Sequence, residues 1–256
     1  MVTGFLEDRV IVVAGVGPDL GRQIAVRGAA AGADVVLAAR TASRLEDVAK
    51  EIAGLGRRAL VVPTDVTAAA DAGHLAEAAV SEFGRVDALV MPPIKDLAVV
   101  DLAAVQGGFD NNVISALRLA RLFIPALAAR SGAVVFVNSM VVRFSQRTMG
   151  PYKMAKASLL AMAGSLATEL GPQGIRVNSV APGHIWGASL QWYFSYLAHK
   201  RGATVDEIYA ETAAATDLGR LPEPDEIADA VLFLASPLAR AITGQCLDVN
   251  CGEYHH

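Results

Sequence analysis

Cysteine, basic charge and long apolar runs are all scarce in this chain of 256 residues, and each shortage closes off a class of protein. Only Cys246 and Cys251 are present. They leave a disulfide or half of a metal site open, yet no third and fourth ligands are spaced to complete a metal centre. Two reduced thiols in a cytoplasmic protein is the reading favoured by the rarity of cytosolic disulfides. Lys and Arg number 22 against 26 Asp and Glu, a net charge of −4, which argues against a general nucleic-acid binder. Arg, Asp, Lys or Gly interrupts every apolar stretch before it could span a bilayer, so no membrane partner is expected. Residues 1–9 lack a basic segment followed by an apolar core, so a signal peptide is not expected either. Internal repeats, low-complexity tracts and linkers are likewise absent from the sequence.

What is abundant is apolar surface. Hydrophobic residues make up 53% and charged residues 19%, enough to bury a large core and incompatible with disorder. Short apolar runs at 10–14, 34–39, 58–62, 86–90, 133–137, 176–181 and 245–249 alternate with helix-like stretches at 20–31, 43–54, 71–83 and 111–129. Runs that are continuously apolar belong to strands buried on both faces, and strands separated by helices read as right-handed βαβ units. The pattern predicts one domain over 1–256, a doubly wound α/β parallel sheet of about seven strands with helices on both faces.

Chemistry concentrates at Tyr152 and Lys156, with Ser139 thirteen residues before the tyrosine. Residues four apart share a helix face, so phenol and ammonium can converge. A nearby cation favours phenolate and lowers a tyrosine pKa, and a serine hydroxyl beside it can hold a substrate oxygen. That is an acid/base device for a carbonyl or an alcohol. The chain carries its own control: Tyr196 and Lys200 repeat the spacing, but Gly183 stands thirteen residues earlier, without a hydroxyl. The second pair reads as a chance match in an aromatic, irregular segment. The wider region 183–221 holds Trp186, Trp192, Tyr193, Phe194, Tyr196 and Tyr209 beyond a strand's carboxyl end, where open α/β sheets bind ligands. It reads as a substrate lid, or alternatively as a helical excursion packed on the body.

From about Phe5 to Tyr254 the chain resembles the short-chain dehydrogenase/reductase family. The carrying segments are Ala14-Gly15-Val16-Gly17-Pro18-Asp19-Leu20-Gly21, Thr64-Asp65-Val66, Asn112, Ser139, Tyr152 with Lys156, Asn178-Ser179-Val180-Ala181-Pro182-Gly183 and Ile242-Thr243-Gly244-Gln245. The resemblance implies a three-layer α/β/α Rossmann-type fold and hydride transfer between a nicotinamide and a secondary alcohol or ketone. In it Tyr152 is the acid/base, and Lys156 lowers its pKa and binds the nicotinamide ribose. Ser139 holds the substrate oxygen, and Asn112 supports a water beside Lys156. Asn112 could instead pin helix backbone, and Asn111 next to it leaves the alignment open by one residue. The implied cofactor contacts are Gly15, Gly17, Leu20, Gly21, Asp65, Val66, Tyr152, Lys156, Pro182, Gly183 and Ile185, with Asp65 on the adenine unless it merely forms a strand-end turn. The resemblance also implies a homodimer or homotetramer built on the helices carrying Asn112 and Tyr152, with Leu117, Leu119, Leu122 and Phe123 serving that contact or the core.

Arg40 bears on cofactor choice. Dinucleotide folds often place an acid after the second strand for the ribose 2′-hydroxyl, whereas arginine accommodates a 2′-phosphate. Here Arg40 ends that run, with Arg44 close behind, so NADP(H) is favoured over NAD(H) unless Arg40 is simply solvated.

Three departures from the family pattern stand out. Asp19 replaces the middle glycine of the phosphate-binding turn, and Ala14 replaces its leading threonine. An ionised Asp about 5 Å from one phosphate charge costs roughly 3 kcal/mol at an effective dielectric of 20. Alternatively Asp19 turns away as the N-cap of the following helix. Met91-Pro92-Pro93-Ile94 stands where Asn-Asn-Ala-Gly is usual, and Gly187 where a hydroxyl residue is frequent. These changes leave a second reading open: a non-catalytic member using the fold as a ligand-binding or oligomeric scaffold.

Overall fold

The computed structural model describes residues 4–92, 102–144 and 149–255. Pro93 and Ile94, and the first three residues of the N-terminal reading, lie outside them.

Seven parallel strands form one sheet in the order β3-β2-β1-β4-β5-β6-β7. They are β1 (Val10–Ala14), β2 (Asp34–Ala39), β3 (Ala59–Pro63), β4 (Ala88–Met91), β5 (Ala133–Val137), β6 (Arg176–Pro182) and β7 (Cys246–Val249). The α-helices among the described residues are α1 (Leu20–Ala30), α2 (Ala42–Gly54), α3 (Ala69–Phe83), α4 (Leu102–Phe109), α5 (Ser115–Ala128), α6 (Gly150–Leu170), α7 (Ala188–Arg201), α8 (Val205–Ala213) and α9 (Pro224–Ala235).

Alternating residues of β1 to β6 feed two separate cores. Val10, Val12 and Ala14 join Leu75, Leu119, Phe123 and Leu159 on the face covered by α3, α5 and α6. Ile11 and Val13 join Ile24, Leu45, Ile52 and Val231 under α1, α2 and α9. Both faces are apolar, which is why these strands carry no polar/apolar alternation. Leu119 and Phe123 are fully buried and belong to the core, while Leu122 remains exposed.

Two local readings need correction. Residues 111–129 are not one α-helix: 110–114 form a π-helical turn between α4 and α5. Nor is the segment around Trp192 irregular, because it lies within α7. The helices α7 and α8 carry a small apolar cluster of their own, Phe194, Ala198, Ile208, Ala213 and Leu221, distinct from the two sheet cores. Trp186 packs edge-on against Tyr209 at 4.6 Å between ring centroids. Tyr196 is half exposed and Lys200 exposed, so the second Tyr/Lys pair lies on the outer surface of this subassembly.

Candidate active site

The order in which the strands are added reverses between β1 and β4, and the loops leaving the carboxyl ends of the strands there form the usual ligand crevice of an open α/β sheet. After Ala14 the backbone turns through Gly15 at φ +137°, a conformation that only glycine takes readily. The Gly15 and Val16 amides both donate to the Ala38 carbonyl, at 2.8 and 3.0 Å, fastening the turn to β2. A Cβ on Gly21 would lie 2.3 Å from the Gly15 carbonyl oxygen, so α1 can start this close to the turn only with glycine. A Cβ on Gly17 would meet nothing within 4 Å, leaving backbone open to a ligand. Leu20 and Gly21 open α1, whose N-terminal amides form an anion-binding end. Pro92, which follows β4, packs its ring 3.4 Å from where a Gly15 Cβ would be.

Asp19 does not cap α1 through its side chain. Its carboxylate crosses to α7 instead, accepting hydrogen bonds from the Ala188 amide at 3.1 Å, the Ser189 amide at 3.3 Å and the Ser189 hydroxyl at 3.1 Å. Sequence separations of 169 and 170 residues hid this contact from any local reading.

The other strand ends supply the remaining candidates. Arg40 is exposed just past β2, and its charge helps hold Asp65 low. The larger cause of that depression is the Thr67 hydroxyl and amide, which donate to Asp65 at 2.7 and 2.9 Å. Asp65 thus makes a turn with Thr67 at the end of β3, which leaves its part at an adenine open, and Val66 beside it is buried. Pro182 ends β6, the Gly183 amide donates to the Val249 carbonyl at 3.0 Å, and Ile185 packs against the α1/α9 core.

Ser139, Tyr152 and Lys156 come together. Ser139 ends the β5 loop, where its hydroxyl accepts from the Val141 amide at 3.2 Å and its own amide donates to Asn138 Oδ1 at 3.0 Å. Tyr152 sits in the first turn of α6 behind Pro151, a position where the missing N–H costs nothing. Its phenol lies near enough to the Ser139 side chain for that hydroxyl to favour the ionised form. Lys156 is 1% exposed, donates from Nζ to the Val137 carbonyl at 3.0 Å and lies 5.7 Å from the Tyr152 ring centroid. Asn112, in the π-helical turn, donates from Nδ2 to the Gly108 carbonyl at 3.0 Å, and its buried Oδ1 has no partner among the described residues. Asn112, Asn111, Lys156, Val137 and Pro92 line a cavity of about 10 Å³, roughly one water in size.

The ionisation states depart from the simple picture of a cation lowering a phenol. Burial pushes the Tyr152 phenol above its ordinary value, with the Ser139 hydroxyl pulling the other way. Burial pulls Lys156 down to about 7, and among the described residues it forms no ion pair. The pair therefore holds a neutral phenol beside an amine that exchanges its proton near neutrality. No group of three or more His, Cys, Asp or Glu suited to a metal occurs among the described residues.

Comparison with known proteins agrees with this geometry. The family model described as enoyl-(acyl carrier protein) reductase matches residues 15–254. A 7alpha-hydroxysteroid dehydrogenase of Escherichia coli K12 is 31% identical over 254 residues, covering 96% of this chain and 94% of its own. Among solved structures, a 7 alpha-hydroxysteroid dehydrogenase complexed with NADH and 7-oxo glycochenodeoxycholic acid superposes with a TM-score of 0.86 at 30% identity, covering 97% and 96% of the two chains. An L-sorbose reductase of Gluconobacter frateurii complexed with NADPH and L-sorbose gives a TM-score of 0.93 at 28% identity over 100% of each chain. By its sheet order, its strand-end loops and these matches along nearly its whole length, the chain belongs to the short-chain dehydrogenase/reductase family.

Proposed function

We propose that this protein is an NADP(H)-dependent oxidoreductase that interconverts a secondary alcohol and a ketone, with Tyr152 as the acid/base. The observation that carries the reading is the convergence of Ser139 and Tyr152 with a fully buried Lys156, whose Nζ lies 5.7 Å from the Tyr152 ring centroid. The relatives with printed activities include dehydrogenases and reductases of cyclic alcohols and ketones, and their complexes hold NADH or NADPH. The residues here fit such a nucleotide. Gly17 presents open backbone next to the N-terminus of α1, and Asn112, whose buried Oδ1 is unpartnered among the described residues, lines the small cavity together with Lys156.

Gly15, Gly17, Leu20 and Gly21 would hold the diphosphate, with Arg40 at the adenosine ribose and Asp65 and Val66 at the adenine. Pro182, Gly183 and Ile185 would flank the nicotinamide half, which supplies or accepts the hydride when bound. Ser139 holds the substrate oxygen within reach of the Tyr152 hydroxyl. Tyr152, kept protonated by burial, gives its proton to the developing alkoxide during reduction. Lys156, poised near neutrality, replaces that proton through the small cavity it shares with Asn112. Residues 183–221 form the substrate lid, and their aromatic content suits an apolar substrate. A homodimer or homotetramer would use α5 and α6, where Leu122 and Met154 are exposed.

Tyr152→Phe tests the assignment. Turnover of a ketone panel with NADPH should fall by at least about a thousandfold, the upper range for losing a general acid. NADPH affinity by calorimetry should stay within a few-fold. Full activity in this variant would remove Tyr152 from the mechanism, and absence of NADPH and NADH binding by the native protein would favour the scaffold reading.

A further inference from the structure

The N-terminus of α7 has an unusual cap. Gly187 is its N-cap residue, with φ −104° and ψ 175°, values that any residue can adopt. Backbone conformation therefore does not demand glycine there. Space is tight instead: a Cβ at 187 would lie 3.2 Å from Asp19 Cγ and 3.4 Å from Asp19 Cβ and Oδ1, its three nearest neighbours, so the carboxylate would have to give by a few tenths of an ångström. The capping oxygen that a local Ser or Thr would ordinarily provide comes from Asp19, across the crevice. Its negative charge also suits the positive end of a 14-residue helix.

Asp19 is at the same time the residue immediately before α1, the last position of the turn proposed to hold the diphosphate. One side chain thus joins that turn to the first turn of the proposed lid. Among the described residues, few other ties reach α7 from the body. Its buried residues Phe194 and Ala198 belong to the cluster shared with α8, and the Trp186 amide donates to the Pro222 carbonyl at 2.9 Å.

We propose that Asp19 is a positioning residue for the reaction: its carboxylate tethers α7 to the glycine turn, so that nucleotide binding at the turn sets the placement of the lid over the substrate. The proposal rests on the function argued above. It bears on two departures at once, since a Cβ at 187 would crowd the carboxylate at 19. It also gives Asp19 a place away from the phosphates, satisfied by donors on α7.

Three variants separate a tether from a cap. Asp19→Asn keeps an acceptor oxygen for the α7 amides and removes the charge. Asp19→Gly removes cap and tether together. Asp19→Gly with Gly187→Ser puts an ordinary N-cap back on α7 without restoring the link. Trypsin cleavage after Lys200 and Arg201, both exposed in the last turn of α7, reports on the lid with and without NADPH. Asp19→Asn should be cut within about threefold of the native rate and retain NADPH protection. Asp19→Gly should be cut roughly tenfold faster. The double variant should regain slow cutting in the absence of nucleotide but lose NADPH protection, and show a raised substrate KM with kcat within a few-fold. Recovery of NADPH protection and native KM in the double variant would reduce Asp19 to a helix cap and overturn the proposal. Native behaviour of Asp19→Gly would overturn it as well. Failure of the native protein to bind NADPH would count against the proposed function, while cleavage rates without nucleotide would still report whether Asp19 holds α7.

Discussion

A lysine with almost no exposed surface is an expense in stability, and Lys156, without an ion-pair partner among the described residues, is one. Burial lowers its folded-state pKa to about 7 from an unfolded value near 10.5. Below about pH 7 both states carry the proton, so the folded protein bears the whole desolvation penalty. Between about 7 and 10.5 the unfolded chain binds more protons, and stability rises with pH as the penalty fades. Lys156→Met, similar in length and uncharged, should therefore raise Tm at pH 6 by roughly 5 °C, even though the Val137 carbonyl loses its side-chain donor. The gain should vanish near pH 10, and turnover should be lost at every pH. An equal gain at pH 6 and pH 10, followed calorimetrically, would mean that charge burial is not its origin. The Tyr/Lys/Ser constellation was legible because helical spacing is local and β5 feeds Ser139 directly into the loop facing α6. The protonation states were not, because they depend on burial. Asp19 was half legible: its misfit in the glycine turn was plain, but its partner lies on α7, far along the chain.

At the scale of elements, the proposed lid depends on how its short helices are started. The nine residues of α8 open on a reciprocal cap: the Glu207 amide donates to Thr204 Oγ1 at 3.2 Å, and the Thr204 amide donates to Glu207 Oε2 at 2.8 Å. A helix this short has little stability of its own, so the cap and the Phe194–Ile208–Leu221 cluster must carry it. Thr204→Ala should increase local opening of residues 183–221 about fivefold. Amide hydrogen exchange should show faster exchange confined to α7 and α8, with the sheet unchanged; exchange rising equally in β1 and β5 would mean that the lid is not an independent unit. The strands were readable from composition because both of their faces are buried. The α7 helix was not readable, because its inner face is narrow and Trp192, Tyr193 and Tyr196 lie on its exposed surface, blurring the helical period. The π-helical turn at 110–114 has no sequence signature, yet it sets the face on which Asn112 reaches the Lys156 cavity.

For the molecule as a whole, the parallel sheet gathers residues from many parts of the chain at the carboxyl ends of its strands, the edge that would select the nucleotide in the function proposed here. No helix among the described residues is long and apolar enough to cross a membrane, and the net charge is −4, so overall charge does not attract an anionic cofactor. Selection must come from local cations at the strand ends. Arg40 is exposed beyond β2, close enough to Asp65 for their charges to interact, and Arg44 is exposed early in α2. A ligand present at a hundred times its Kd stabilises the fold by about 2.7 kcal/mol, a Tm rise of roughly 5–10 °C for a chain of this size. NADPH should produce that rise at a lower concentration than NADH. Arg40→Asp should reverse the order, because a carboxylate there would repel a 2′-phosphate and accept a hydrogen bond from a 2′-hydroxyl. The native preference should also weaken with added salt, since an exposed guanidinium is screened over about 8 Å at physiological ionic strength. A preference unchanged by both Arg40→Asp and salt would assign selection to groups other than Arg40, and equal shifts with both nucleotides in the native protein would mean that the strand-end cations do not discriminate.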